Sequence, residues 1–230
     1  MSITKVLAKK LTNYDDQQSL GSRLRTKRIV PLLRLIEATS KQLGFVSIVD
    51  IGGTVRYWNI IPQQYLVEHN VKITIVNLPN ATLPKNFGPF TFVHADGCNL
   101  SDFDNNSFHI AHSNSVIEHV GDWERMVQFS AEFRRVAEKY FVQTPNYWFP
   151  IEPHCMTPFF HWLPKPARVW LVMNFSLGHW RKATSVDDAV RIVESARLLD
   201  RKMFCELFQD AELRTERFFF MPKSFSAIRG

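Results

Sequence analysis

Apolar residues along this chain recur with two different periods. Short apolar runs at 46–51, 71–77, 90–95, 107–112 and 140–144 each end in a polar residue, glycine or proline, and read as strands buried on both faces. Between them the spacing turns helical. Ile29, Leu32, Leu33 and Ile36 share one side of a helix predicted over 19–42, with Gly44 as its stop. A second helix is predicted from Tyr57 to His69. A third, over 122–137, has Trp123, Met126, Val127 and Phe129 on its apolar side. A Pro/Gly-rich loop through Pro84, Gly88 and Pro89 separates the second and third strands.

Beyond Pro145 the period is lost. Residues 145–185, rich in Pro, Trp and Phe, read as an inserted lid or cap, and helices resume over 186–199 and 200–209. Thr215–Met221 and Ser224–Ile228 then predict a hairpin that turns at Pro222-Lys223. Together these elements predict an α/β fold. Its mostly parallel, seven-stranded sheet would carry an antiparallel C-terminal hairpin and helices on both faces. A helical arm over 1–42 would precede a domain over 43–230.

Composition adds little to this picture. The 230 residues are 45% hydrophobic and include 19 Phe, enough for one sizeable core. A net charge of +6 points weakly to anionic partners, because its densest cluster (Lys9, Lys10, Arg23, Arg25, Lys27 and Arg28) suits a solvated face of the arm. Cys98, Cys155 and Cys205 form no close pair, which fits a reducing, cytoplasmic setting. Met1–Lys10 lacks a signal-peptide core, and no apolar run is long enough to span a bilayer. The most lipid-like stretch, Met156–Trp180, is broken by prolines. It leaves peripheral membrane contact open, with Arg168, Arg181 and Lys182 towards headgroups.

Chemistry gathers at the strand ends. In open parallel sheets, ligands bind beyond the carboxyl ends of the strands. Strand one offers Asp50, Gly52 and Gly53; strand two, Asn77 and Leu78; strand three, Asp96 and Gly97; strand four, Asn114 and Ser115; strand five, Thr144, Pro145 and Asn146. Each of these sets follows directly on an apolar run. The order Asp50-Ile51-Gly52-Gly53, Asn77, Asp96-Gly97 and Asn114-Ser115-Val116-Ile117-Glu118-His119 resembles the class I S-adenosylmethionine-dependent methyltransferases. It is closest to the small-molecule group whose fourth strand leads into an Ile/Leu-Glu-His segment. The resemblance covers about residues 43–146. The stretch from Thr144 to His154 is similar to a bacterial subset in glycan and natural-product pathways.

The resemblance implies a Rossmann-like fold and S-adenosylmethionine as cofactor, with a role for each matching position. Gly52 and Gly53 would make the turn against the methionine moiety, and Asp50 would orient its amino group directly or through water. Asn77 stands where the family usually has an acid gripping the ribose. Asp96 would accept from the adenine amino group, with Gly97 against the ring, and Asn114 and Ser115 would close the front of the site. Two departures stand out: the turn lacks the spaced third glycine, and Asn77 brings no charge. Asn77 keeps a non-catalytic binding protein in view.

A hydroxyl acceptor needs a base, and histidine suits that task. His154 or His119 is the candidate, with Glu152 and Glu118 close by to orient a ring. His161 reads as packing. The Glu118-His119 segment also looks like the Glu-x-x-Glu-His divalent-metal site of ubiquinone-pathway O-methyltransferases. Ser115 stands at the first acidic position, and a hydroxyl is a poor substitute for a carboxylate, so no required metal is expected, zinc least of all because no close Cys/His cluster has suitable spacing. Trp148 and Phe149 are candidates for the acceptor wall. Arg168, Arg181 and Lys182 could meet a phosphate. The expected acceptor is a small molecule or glycan. Nucleic-acid methylation finds no Asn/Asp-Pro-Pro-Tyr segment after strand four and no strand-binding aromatic tract.

Overall fold

In the computed structural model the described backbone runs from residue 20 to 230 and the described side chains from residue 26. Residues 1–19 of the expected arm, and the side chains of Lys9, Lys10, Arg23 and Arg25 in the basic cluster, lie outside this range. Seven strands form one sheet: β1 Val46–Ile51, β2 Val71–Asn77, β3 Phe90–His94, β4 Phe108–Asn114, β5 Ala137–Pro145, β6 Glu212–Phe218 and β7 Met221–Arg229. Their order is β3-β2-β1-β4-β5-β7-β6. All pairings are parallel except those of β7, which runs antiparallel to both β5 and β6. The chain leaves β1 to build outwards through β2 on one side and β4 on the other. The crevice beyond the β1 and β4 ends is therefore the topological switch point.

Helix α1, Leu20–Leu43, stops at Gly44, whose φ of 76° lets its N–H turn back to the Ser40 carbonyl. The helix expected over 57–69 is instead two short ones, α2 Val55–Trp58 and α3 Gln63–Glu68. Pro62, with no N–H to donate, breaks the ladder between them. Helix α4, Trp123–Val136, is capped by Asp122, whose side chain accepts from the Arg125 N–H. Its buried face is Met126, Phe129, Ser130 and Phe133, an i, i+3, i+4, i+7 stripe. Trp123 and Val127, expected on that face, lie outside the stripe and are exposed. Helices α5 Lys165–Asn174, α6 Val186–Glu194 and α7 Arg201–Leu207 follow.

Two apolar layers cover the sheet. One joins Val49, Ile51 and Val142 to Phe129, Phe133, Phe204 and Phe208 under α4 and α7. The other joins Ile48, Ile73 and Ile110 to Ile29, Leu32, Ile36 and Trp58 under α1 and α2. Each fully buried large side chain stabilises the fold by roughly 1.5–3 kcal/mol. The aromatic cap has a third core of its own, in which Cys155, Phe160 and Val172 pack with Ala189 and Val193 of α6. Among the described residues no helix is long and apolar enough to cross a membrane.

The terminal hairpin turns at Phe219-Phe220, not at Pro222-Lys223. Both phenylalanines have positive φ (45° and 68°), the conformation a two-residue hairpin loop requires, and Pro222 stands inside β7 opposite Arg217 at a bulge. Arg28 does not belong to a solvated face. Its guanidinium crosses to the hairpin carboxylate of Glu216 at 2.6 Å and to the Asn114 side chain at 3.3 Å.

Candidate functional site

The glycine turn after β1 is shaped by contacts that exclude a side chain. Gly52 has a φ of 71° and donates its N–H to the Val76 carbonyl, and a Cβ there would strike Val116 at 2.6 Å. A Cβ on Gly53 would sit 1.7 Å from Oδ2 of Asp50. Asp50 itself is fully buried. Its Oδ2 accepts from the Trp58 indole and its Oδ1 from Nδ1 of His112, each at 2.7 Å. His112 is its register partner on β4. The carboxylate therefore lies beneath the turn and acts on the site through the Gly52-Gly53 backbone.

At the end of β2, the Asn77 amide donates to the Gly53 carbonyl at 3.1 Å. Its own oxygen makes no hydrogen bond among the described residues and remains an acceptor for a hydroxyl. Leu78 beyond it is exposed. Asp96 accepts from the Cys98 N–H and, through both oxygens, from Arg125 at 2.9 and 2.7 Å. Partial burial pushes the Asp96 pKa up, but the Cys98 N–H and the Arg125 guanidinium outweigh it and hold the group below its ordinary value. Arg125 has no place in the strand-end pattern. Only the α4 cap beside it hints that its side chain faces the site. Gly97 is pressed between Ile51 and Phe129, where a Cβ would meet them at 2.7 and 3.0 Å.

Asn114 accepts from Arg28, and Ser115 takes a left-handed φ of 55° while its hydroxyl donates to Gln143. That bend sends the chain into the short 3₁₀ turn Ile117–His119. Glu118 is 1% exposed, and burial pushes its pKa up to about 7. One carboxylate oxygen accepts from Thr144, and the other has no partner among the described residues. The His119 ring donates Nδ1–H to the Ser195 carbonyl at 2.7 Å. Across the gap His154 donates Nδ1–H to Glu152 at 2.7 Å, and the two Nε2 atoms face each other at 3.0 Å. Glu152 also accepts from the backbone N–H groups of His154 and Cys155. Burial raises the Glu152 pKa, but these bonds overcome it and keep the group ionised. Burial lowers both histidines; the Glu152 partnership reverses this for His154, and His119 stays low. The four candidate catalytic residues thus form one cluster.

A cavity of about 510 Å³ adjoins the cluster. Glu152 and Ser195, which orient its two rings, line the cavity together with Tyr147, Trp162, Trp180 and Arg168. Trp148, 63% exposed, and Phe149, buried against Phe218, do not line it. His161 packs against Tyr147 and Trp162 and lines the cavity as well. Its Nε2–H donates to the Tyr147 carbonyl, which leaves Nδ1 bare. Nδ1 of His161 and Nε of Arg168 are both buried without a partner among the described residues. Both residues line the cavity among aromatic walls.

Residues 50–140 match the family model of a methyltransferase domain. A search of curated protein sequences returns no match. Among solved structures, a protein of Bordetella parapertussis described as a possible exported protein aligns with a TM-score of 0.52 at 12% identity, covering 98% of this chain and 79% of its own. A S-adenosylmethionine-dependent methyltransferase of Methanosarcina mazei aligns at 0.49 and 14% identity, over 80% and 91%. The magnesium protoporphyrin IX methyltransferase of Synechocystis PCC 6803, solved with S-adenosylhomocysteine, aligns at 0.44 and 10% identity, over 94% and 90%. The domain match falls on the strands that carry the glycine turn, and the strand order completed by the antiparallel β7 is that of a Rossmann-like methyltransferase fold.

Proposed function

We propose that this protein transfers a methyl group from S-adenosylmethionine to a hydroxyl of a small or glycan-like acceptor. The observation that carries this reading is the continuity of one segment, Asn114–His119. Its Val116 packs on Gly52 of the glycine turn, and three residues later His119 joins the His154 pair beside the cavity. Donor and acceptor sites would therefore meet over a few residues.

In this reading the Gly52-Gly53 backbone admits the methionine moiety, which Asp50 supports from below. The free oxygen of Asn77 accepts from a ribose hydroxyl, and Asp96 receives the adenine amino group with Arg125 fixing its carboxylate. The acceptor occupies the cavity, with aromatic faces against its ring and Arg168 and His161 in its wall. Transfer breaks the methyl carbon–sulfur bond and forms a carbon–oxygen bond, leaving a neutral thioether. The hydroxyl proton passes to the facing Nε2 atoms of His119 and His154, which then share it. The protein's main contribution is alignment and exclusion of water.

Calorimetry with S-adenosylhomocysteine tests the cofactor site: binding is expected, and Asp96→Ala should weaken it. An acceptor screen with labelled methyl donor tests the rest. His154→Ala and His119→Ala should lose turnover while keeping cofactor binding. Normal turnover in both variants would rule out the histidine pair, and no binding at millimolar ligand would rule out the methyltransferase reading.

A further inference from the structure

The hydrogen bonds around His119 and His154 decide which nitrogen each ring turns to the other. Ser195 offers a carbonyl, which only accepts, so Nδ1 of His119 carries a proton. Glu152 accepts from two backbone N–H groups through one oxygen and faces Nδ1 of His154 with the other at 2.7 Å, so that nitrogen carries a proton too. In their neutral forms both rings then turn a bare Nε2 lone pair towards the other, 3.0 Å apart. Two lone pairs at that distance repel unless a proton or a metal ion lies between them. Glu118 adds the third group: a carboxylate oxygen within 4.8 Å of both nitrogens. The residue is 1% exposed, and one of its two oxygens is buried with no partner among the described residues.

We infer that Glu118, His119 and His154 form a binding site for a divalent first-row transition ion of the zinc class. Two imidazoles and one carboxylate are a ligand set that zinc accepts while keeping one position open. Two nitrogens on one tetrahedral ion lie about 3.4 Å apart at bond lengths of roughly 2.1 Å, so the rings need to separate by only a few tenths of an ångström. The supporting shell is already built. Each ligating ring donates its other N–H, one to a carboxylate and one to a backbone carbonyl, and Thr144 donates to Glu118. Imidazole ligands select against magnesium and calcium. The outward side is open, since His119 is exposed. Ser115, whose lack of a carboxylate argued against a metal at this segment, points to Gln143 and is not part of the set. His154, brought in from the cap, takes the third place.

The consequence for catalysis rests on the methyltransferase reading. With the ion bound, His119 and His154 are ligands, and an acceptor hydroxyl at the open position meets a Lewis acid in place of a free imidazole. The ion also ties the cap to the end of β4, because its ligands come from both.

Metal binding can be read without activity. The full chain, stripped with chelator and dialysed, is titrated with Co²⁺ while visible absorption is recorded, then with Zn²⁺ in competition and Mg²⁺ as control. The inference expects one equivalent of Co²⁺ with a d–d band of low-symmetry coordination, displaced by Zn²⁺ and untouched by Mg²⁺. His154→Ala should abolish the band. Glu152→Gln, which keeps all three ligands, should weaken affinity about 10–100-fold in a protein that remains folded by circular dichroism. No band at millimolar Co²⁺, or a band unchanged in both variants, overturns the site. S-adenosylhomocysteine titrated into the same stripped protein reads the methyltransferase assignment separately. Its binding without a cobalt band would overturn the metal site alone.

Discussion

The indole N–H of Trp58 ends on Oδ2 of Asp50, 2.7 Å away, inside a pocket that excludes solvent from both groups. Together with His112 on Oδ1, this bond leaves the carboxylate no freedom to swing. Trp58→Phe keeps an aromatic ring in the layer and removes the donor. A buried carboxylate oxygen without a partner costs about 1–3 kcal/mol. The variant should unfold at lower denaturant with an unchanged slope, and should bind S-adenosylhomocysteine more weakly because the glycine turn rests on Asp50. Unchanged stability in urea would show that the indole bond contributes nothing.

Gly53 is constrained by that same carboxylate. A methyl group there would lie 1.7 Å from Oδ2, and the two donors holding Asp50 prevent it from yielding. Gly53→Ala must therefore move the turn. Cofactor affinity should fall at least tenfold by calorimetry, from a protein that remains folded by circular dichroism. A variant that binds as tightly as the parent would mean the turn relaxes without cost.

Asn77 makes a prediction opposite to the family pattern. An acid is usual at this place, so Asn77→Asp looks like a repair. Here the amide donates to the Gly53 carbonyl, and a carboxylate cannot donate. Two oxygens would face each other at about the same distance. The variant should lose about 1–2 kcal/mol of stability and gain nothing in S-adenosylhomocysteine affinity. Tighter binding at unchanged stability would show that the ribose contact outweighs the bond to the turn.

The parallel strands were legible because each is a short apolar run closed by a polar tip, and all five appear with bounds shifted by no more than three residues. Their order across the sheet depended on the family resemblance. What escaped was set by neighbours distant in sequence. Asp50 reads as a ligand contact from its place before two glycines. Its burial follows from Trp58 and from His112, 62 residues away. His119 and His154 were each visible as candidates, but no spacing rule pairs residues 35 apart across an irregular cap. The hairpin turn was misplaced because aromatic residues seldom take positive φ, whereas Pro222-Lys223 resembles a turn in composition. Arg125 was invisible for a similar reason: its role is to hold Asp96, which only the packing of α4 reveals.

Glu216 connects α1 to the terminal hairpin, and its ionisation gives the fold an acid-sensitive joint. Its carboxylate accepts from Arg28 at 2.6 Å and from Lys223 at 3.0 Å. Burial pushes the group up, but the two cations outweigh it and hold its pKa below the ordinary carboxylate value. An unfolded glutamate titrates near about 4.3. Because the folded value is lower, the native state favours the charged form. The stabilisation is complete above that pH and is lost as pH falls through the folded value. Glu216→Gln removes the charge and leaves Arg28 and Lys223 facing a neutral amide. At pH 7 the variant should be less stable by about 1–3 kcal/mol. The difference from the parent should stay level between pH 7 and 5 and close towards pH 3. Urea unfolding of both proteins across that range measures it, and a gap that holds constant or widens in acid would place the stabilisation in packing and not in charge.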